Sequence, residues 1–254
     1  TTRALHPTDE GTLLIEGCRD VVELWQRTLE DARAQRAELE GVVQLAAPVD
    51  TAYQLLRSVV AELHAEHPRL TVVLHGTDTV QQLDRDAVDV SIRYGRLQDS
   101  TMSARKLAVC PGILVAAPSY LQRKGVPRSP ADLQSHQCIT LHLSNRLQDT
   151  WELLGKGRPR RVELVSPLCG DGYAARQWAL DGAGIALKSL FDVIDDLEHG
   201  RLVRVLPRYT SGLVPIHAVF PNRRFTTARV RTLLSVVAKR FAVRSNRCTT
   251  WLRS

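Results

Sequence analysis

With 254 residues, of which 44% are hydrophobic and 24% charged, the chain has the composition of a folded protein, which excludes long disordered tracts. The net charge of +7 would suit a nucleic-acid partner, but many basic soluble proteins have none, so charge alone decides nothing. The sequence has no apolar run of about 18 residues and no export signal, so we predict a cytoplasmic protein that does not cross a membrane.

The first segment, residues 8–41, predicts one long helix, because apolar residues recur at steps of three and four with charged residues between them. A helix of about 30 residues would be about 45 Å long and would overhang an ordinary domain. We therefore favour pairing with the same helix of a second copy over packing on its own domain. The predicted dimerisation stripe comprises Leu14, Cys18, Val21, Trp25, Leu29 and Ala32.

After Gly41 the pattern changes to short strand-like runs that alternate with helical segments, which is typical of an α/β fold. Residues 42–47, 70–75 and 88–93 read as strands. A helix that ends before Pro68 separates the first two, and a short helix over 79–85 separates the second and third. This part predicts a βαβαβ unit.

Two further strand-like runs, 110–118 and 213–221, enclose a second α/β unit about a hundred residues long. In that unit we predict strands in QCITLH, RRVELVSP, GIALKS and RLVRVL, and a helix from Asp171 to Asp181. The last predicted helix runs from Thr226 to Phe241, and the polar residues 244–254 predict a flexible tail.

Three stretches in this order resemble the LysR-type transcriptional regulators: DVSIRYGRLQDSTMSARKL (89–107), GILVAAPSYLQRKGVPRSPADLQSHQCI (112–139) and ALDGAGIALKSLFDVIDDLEHGRLVRVLP (179–207). The opening TTRALHPTDEG resembles the end of that family's winged helix-turn-helix domain, so we expect residues 1–7 to be its remnant. The resemblance implies that DNA is a partner of the full-length protein, through a recognition helix that should precede this sequence.

For the fold, the resemblance implies an α/β effector-binding domain over 42–243, two-lobed and similar to the type 2 periplasmic binding proteins. The long helix over 8–41 would link it to the DNA-binding domain and mediate dimer or tetramer formation. Lobe one would comprise 43–111 and 215–243, and lobe two 112–214, with the two strand runs as crossovers.

The cleft between these lobes is the expected site of a small-molecule effector, because α/β sheets bind ligands beyond the carboxyl ends of their strands. Two predicted helices begin there, and their N-terminal N–H groups favour an anionic ligand. Asp50 and Asp171 could instead only cap these helices. The predicted cleft residues are Pro48, Val49, Asp50, Thr51, Thr77, Thr140, His142, Gly170, Asp171 and Gly172.

Arg93 and Tyr94 follow the third strand and are also predicted to bind the ligand, by hydrogen bonds to a carboxylate or by stacking. The alternative is that they pair with Asp89 or Asp99 on the surface. The basic residues Arg158, Arg160 and Arg161 predict a solvated loop.

Other chemistries have little support in the sequence. His64 and His67 have the spacing of two metal ligands, but no third ligand is apparent, so we predict no metal. The five cysteines lack CxxC spacing, and of these only Cys138 and Cys169 would merit a test as a redox pair. Nucleophile-elbow, P-loop and dinucleotide-binding motifs are lacking, so we predict neither an enzyme nor a cofactor. The alternative function, a solute-binding protein, would not explain the long helix.

Overall fold

The computed structural model describes residues 8, 39–78, 88–97, 102–143, 146–220 and 227–253, together with positions 10, 11, 14, 15, 17, 18, 21, 22, 24, 25 and 28. Those positions from 10 to 28 are all helical, which agrees with the predicted amino-terminal helix. Large apolar side chains on it are exposed, among them Leu14 (69%), Val21 (67%) and Trp25 (64%). The predicted remnant 1–7, the helix over 79–85, Asp99, Leu29 and Ala32 lie outside the described residues.

The first half of the fold contains strands β1 to β4 and one helical rod. The strands are β1 (Gly41–Ala47), β2 (Leu70–Gly76), β3 (Val90–Tyr94) and β4 (Ser103–Ala116). Between β1 and β2 lie α1 (Val49–Thr51), a π-helical segment (Ala52–Leu56) and α2 (Arg57–Glu66), which follow each other without interruption. Pro68 stops this rod, because proline cannot donate the next backbone hydrogen bond.

The second half continues with α3 (Pro118–Lys124), a 3₁₀ segment (Pro130–Ser135), β5 (Cys138–Leu143), β6 (Arg146–Gln148), β7 (Thr150–Leu153), β8 (Arg160–Glu163) and β9 (Leu168–Gly170). It ends with α4 (Gly172–Leu180), β10 (Ile185–Ser189), α5 (Leu190–Glu198) and β11 (Val203–Val205). The strand β12 (Leu213–Phe220) and the long helix α6 (Ala228–Arg253) complete the chain.

One mixed sheet of ten strands has the order β2-β1-β3-β12-β4-β10-β5-β6, and β11 and β9 pair with β4 and β5. The strand β4 changes partner along its length. Its residues up to Pro111 pair with β12, and those from Gly112 onward pair with β10. The two parts of the sheet therefore meet at the position where the sequence predicts the first crossover. The lobe boundaries stay a prediction, because strand pairing does not test whether the halves move separately.

The main hydrophobic core runs through both halves of the sheet. It includes Leu45 and Leu56 from the first half and Phe191 from α5, and Phe241 of α6 stacks on Phe191 with ring centroids 4.9 Å apart. A second cluster around Tyr120 and Trp151 lies under β4, β7 and β8. Buried apolar strands explain why runs such as GIALKS carry few charged residues.

The carboxyl-terminal segment corrects the sequence prediction. Residues 244–253 are the last turns of α6, so the predicted flexible tail over 244–254 is wrong for these residues. Arg244 is buried, donates from Nε to the Phe191 carbonyl at 2.6 Å, and pairs with Asp195 at 2.8 Å. Cys248 is buried as well. The polar composition of residues 244–254 predicts a flexible tail because the sequence does not show that α5 supplies hydrogen-bond acceptors for the arginines of this segment.

Arg160 and Arg161 lie in β8, within the predicted strand RRVELVSP, and pair with Leu153 and Glu152 of β7, so these two arginines do not lie in the predicted loop. Strands β6, β7 and β9 have three or four residues each. Such short runs give no readable periodicity, which is why the sequence does not predict them.

Candidate functional site

The amino-terminal ends of α1 and α4 converge on the carboxylate of Asp78, two residues beyond β2. The Val49 N–H donates to Asp78 Oδ1 at 3.3 Å, and the Gly172 N–H donates to Asp78 Oδ2 at 3.1 Å. Both amides belong to the first turns of helices, where backbone N–H groups have no partner within the helix. One carboxylate thus bridges two segments that are distant in sequence, and it lies at the positive end of both helices.

Lys188 of β10 lies on the other side of Gly172. Its Nζ is 2.6 Å from Asp50 Oδ2, and it also donates to the Gly172 carbonyl at 2.6 Å. Lys188 and Asp50 are buried, with 5% and 2% of their surfaces exposed. A buried charge needs a partner of opposite sign, so this ion pair fixes α1 against β10. Asp50 does not cap α1, because the N-cap position belongs to Pro48 and Asp50 lies within the first turn.

A hydrogen-bonded network of three side chains continues from α1 into α5. The Thr51 hydroxyl is 2.9 Å from the Tyr94 hydroxyl and donates to Asp192 Oδ1 at 3.2 Å. Tyr94 donates to the same Asp192 oxygen at 3.0 Å. Thr51 and Asp192 are buried. Tyr94 therefore does not pair with Asp89, whose Oδ2 accepts from the Gln44 N–H at 2.7 Å.

Burial and neighbouring charges shift two pKa values in this cluster. Burial raises the pKa of Asp50 to about 6; Asp192 adds to the rise, and the opposite charge of Lys188 works against it. Burial, with a contribution from Asp192, also raises the pKa of Tyr94 well above its usual value. The Tyr94 phenol therefore stays protonated at neutral pH and serves as a hydrogen-bond donor.

The raised pKa of Asp50 predicts a pH-dependent contribution to stability. Between its ordinary pKa of 3.8 and about 6, the folded protein holds this proton more firmly than the unfolded chain. The free energy of unfolding contributed by Asp50 therefore falls as the pH rises through this window. We expect the stability of Asp50→Asn, measured relative to the wild type, to increase with pH between pH 4 and 6, by roughly 3 kcal/mol at most over this window.

Urea denaturation of both proteins at half-unit steps from pH 4 to 7.5 measures this difference. Asp132 offers a matched control, because the N–H of Arg128 and the Ser129 hydroxyl lower its pKa. Asp132→Asn should not reproduce the gain with rising pH. A constant difference between wild type and Asp50→Asn across this window would contradict the prediction.

Two tyrosines flank the convergence point on its exposed side. The rings of Tyr53, in the π-helical segment, and Tyr173, in the first turn of α4, have centroids 5.6 Å apart. Their exposed fractions are 54% and 37%. They add an aromatic contact between the same two helices that Asp78 bridges.

Five of the predicted ligand residues lie close together in the structure: Val49, Asp50, Thr51, Tyr94 and Gly172. Pro48 precedes α1, and its carbonyl accepts from the Ala52 N–H. Asp171 caps α4 through a 2.7 Å bond from the Ala174 N–H, as one of the two sequence interpretations proposed. The direct ligand roles of all these residues stay predictions.

The remaining predicted ligand residues have structural contacts of their own. Thr140 is buried in β5 and donates to the Leu168 carbonyl at 3.4 Å, while His142 is exposed on the same strand. Gly170 ends β9 beside Trp178. The Thr77 N–H donates to the Ala47 carbonyl at 2.8 Å, and Arg93 lies opposite His217 of β12.

The competing chemistries gain no support. Within the described part of the chain, no three His, Cys, Asp or Glu side chains are grouped to hold a metal ion. Cys138 is buried, which raises the pKa of its thiol to about 12 and disfavours the reactive thiolate. Across the described residues, we find no helix with the length and apolarity needed to cross a membrane.

Sequence reasoning missed Asp78, Lys188 and Asp192. Asp78 follows the predicted loop residues Gly76 and Thr77 by one position, so extending that loop would have included it. A lone lysine in the apolar strand GIALKS was a second available signal, since lysine is almost never buried without a partner. Asp192 gave none, because a helix of α5's composition commonly carries acids.

Comparison with known proteins agrees with this architecture. A family model described as the LysR substrate binding domain matches residues 36–242. The chain is 28% identical to the HTH-type transcriptional regulator DmlR of Escherichia coli K12 over 95% of its length and 79% of that protein's. It is 30% identical to the HTH-type transcriptional activator AaeR of the same strain, and the match covers 95% of this chain and 78% of that protein.

Among solved structures, the regulatory domain of CrgA, a LysR-type transcriptional regulator from Neisseria meningitidis, matches with a TM-score of 0.71 and 26% identity. The match covers 80% of this chain and all of that one. It confirms the predicted α/β fold of the type 2 periplasmic-binding-protein class. Since the family model covers most of the chain, the protein belongs to the LysR-type transcriptional regulators, and residues 36–242 form its substrate-binding domain.

Proposed function

We propose that this regulator senses a small anionic effector, a carboxylate, where α1 and α4 converge. The observation that carries the proposal is that the Val49 and Gly172 N–H groups already bind one carboxylate, that of Asp78. Their separation therefore suits the two oxygens of a carboxylate, and the helix dipoles favour its charge. The Lys188 ammonium group, which pairs with Asp50, also lies beside Gly172.

The effector would make further contacts with side chains around this point. Thr51 and Tyr94 offer hydroxyl groups, and Tyr53 and Tyr173 offer aromatic surface. The other predicted cleft residues would line the ligand's remaining surface if it is larger than a simple carboxylate. This site belongs to a cytoplasmic regulator without catalytic activity.

The structural change caused by effector binding would be transmitted to the DNA-binding domains through the amino-terminal helix. We infer that two copies pair along its exposed apolar residues, as a dimer or within a tetramer, and that the helices hold the DNA-binding domains of the full-length protein. A ligand shifts such an equilibrium only if it prefers one arrangement. Because the site joins α1 to α4 and β10, a ligand there would change how these elements pack. We infer that this change alters the separation of the two amino-terminal helices in the dimer.

A thermal-shift screen tests the effector class. We expect small carboxylates such as acetate, benzoate and succinate to raise the melting temperature, while the uncharged amide of each does not. A ligand at a hundred times its Kd stabilises the fold by about 2.7 kcal/mol. The comparison of acid with amide isolates the charge, because the two have nearly the same shape.

The variant Gly172→Ala tests whether the carboxylate that raises the melting temperature binds beside Gly172. A Cβ on Gly172 would lie 3.3 Å from Lys188 Nζ, so the ammonium group beside the proposed carboxylate position must shift, whereas its 3.8 Å distance from Asp78 Oδ2 is an ordinary contact. We expect the carboxylate-dependent shift to fall at least several-fold, because the displaced Lys188 ammonium no longer lies beside the Gly172 N–H. Equal shifts in both proteins would place the ligand elsewhere and contradict the proposal.

A further inference from the structure

We propose that Asp78 is an internal competitor of the effector: its carboxylate occupies the position of the effector's carboxylate and must leave before the effector binds. This inference rests on the proposed function, and it adds a regulatory contact built into the chain. The ligand-free arrangement is then one in which the protein has bound its own carboxylate.

The contacts of Asp78 support this role. Its two oxygens accept from two amides that are 29 and 94 residues away in sequence. Asp78 is only half-buried, so its side chain can withdraw without opening the hydrophobic core. Lys188 and Asp50, in contrast, are almost fully buried and held by each other.

The charge balance explains why the effector and Asp78 exclude each other. Three carboxylates belong to this cluster: Asp50 pairs with Lys188, Asp78 accepts from the Gly172 N–H, and Asp192 accepts from Tyr94. Lys188 and, more weakly, Arg176 supply the opposite charge that acts on Asp50. A fourth carboxylate added beside them would be repelled strongly in this partly buried region. An exchange of one carboxylate for another leaves the charge unchanged, and the two N–H groups keep their acceptor.

A buried acceptor without a partner lies in the same cluster of side chains. Among the atoms that the structure describes, Asp50 Oδ1 is buried without a hydrogen-bond partner. The Asp50 Cβ lies 3.7 Å from where a Cβ on Gly172 would stand. A donor group on the effector could bind this acceptor, which Asp78 cannot do because its carboxylate offers no proton.

An internal competitor lowers the apparent affinity by the fraction of molecules in which the site is free. Removing it should therefore tighten binding of even the simplest carboxylate. We expect the Kd of acetate to fall at least ten-fold in Asp78→Ala. In Asp78→Asn it should fall less, because the amide oxygen can still accept from one of the two N–H groups.

Acetate titration followed by the backbone amide resonances of Val49 and Gly172 measures both the affinity and the place of binding. Asp89→Asn is the matched control, since that carboxylate also accepts a backbone N–H, from Gln44, but has no part in this site. It should keep the wild-type Kd. If Asp78→Ala fails to fold, Asp78→Asn, which has the same shape, gives the answer.

The outcomes separate this inference from the proposed function. Equal acetate affinity in wild type and the Asp78 variants, with shifts at Val49 and Gly172 that Gly172→Ala abolishes, overturns the competitor and leaves the effector site standing. Folded Asp78 variants that no longer bind acetate, when the wild type does, also overturn it, because Asp78 would then assist binding. Acetate shifts located only at other residues overturn both.

Discussion

Replacing Lys188 by methionine is expected to lower the free energy of unfolding by about 3–5 kcal/mol, as is usual when one partner of a buried ion pair is removed. Methionine has a similar length, so the loss comes from charge and not from packing. Asp50 would remain buried without its cation and close to Asp192, which already raises the pKa of Asp50. The Gly172 carbonyl would also lose its donor.

Urea denaturation at pH 7.5 measures this loss, and a double variant tests its cause. If the unpaired charge is responsible, Asp50→Asn combined with Lys188→Met should recover most of the lost stability. Lys124→Met, at the exposed end of α3, is the control for removal of a lysine charge and should change little. A double variant as unstable as Lys188→Met would show that the pair does not act as proposed.

Replacing Trp25 by aspartate is expected to raise the dissociation constant of self-association at least thirty-fold, about 2 kcal/mol for one tryptophan anchor. Trp25 is helical and 64% exposed in the single chain, with Leu14 and Val21 exposed on the same helix. In a paired helix an aspartate at this position would carry a charge into an apolar seam.

Sedimentation velocity over a range of protein concentrations measures the change. Gln26→Asp is the matched control, because it adds the same charge one residue away and off the apolar stripe of the sequence. Association should survive in this control. If Trp25→Asp sediments like the wild type at every concentration, the seam lies elsewhere on the protein.

Local patterns in the sequence were enough to predict the order of the elements and part of the site. Alternating strand and helix periodicities place Val49, Thr51 and Gly172 at the start of helices that follow strands, and a parallel arrangement brings such helix ends to one side of a sheet. Asp78 and Lys188, which lie beside Gly172, and the helical turns beyond Phe241 were not predicted.

The sequence by itself determined the α/β class, the family, the amino-terminal helix and the two helix starts, because each depends on residues close together along the chain. Only the tertiary structure decided which groups meet at those helix starts. Asp78 bridges α1 and α4, Lys188 pairs with Asp50, and Arg244 finds acceptors on α5. Each of these contacts joins residues far apart in sequence, and the energy of a buried charge depends on the partner that folding places beside it.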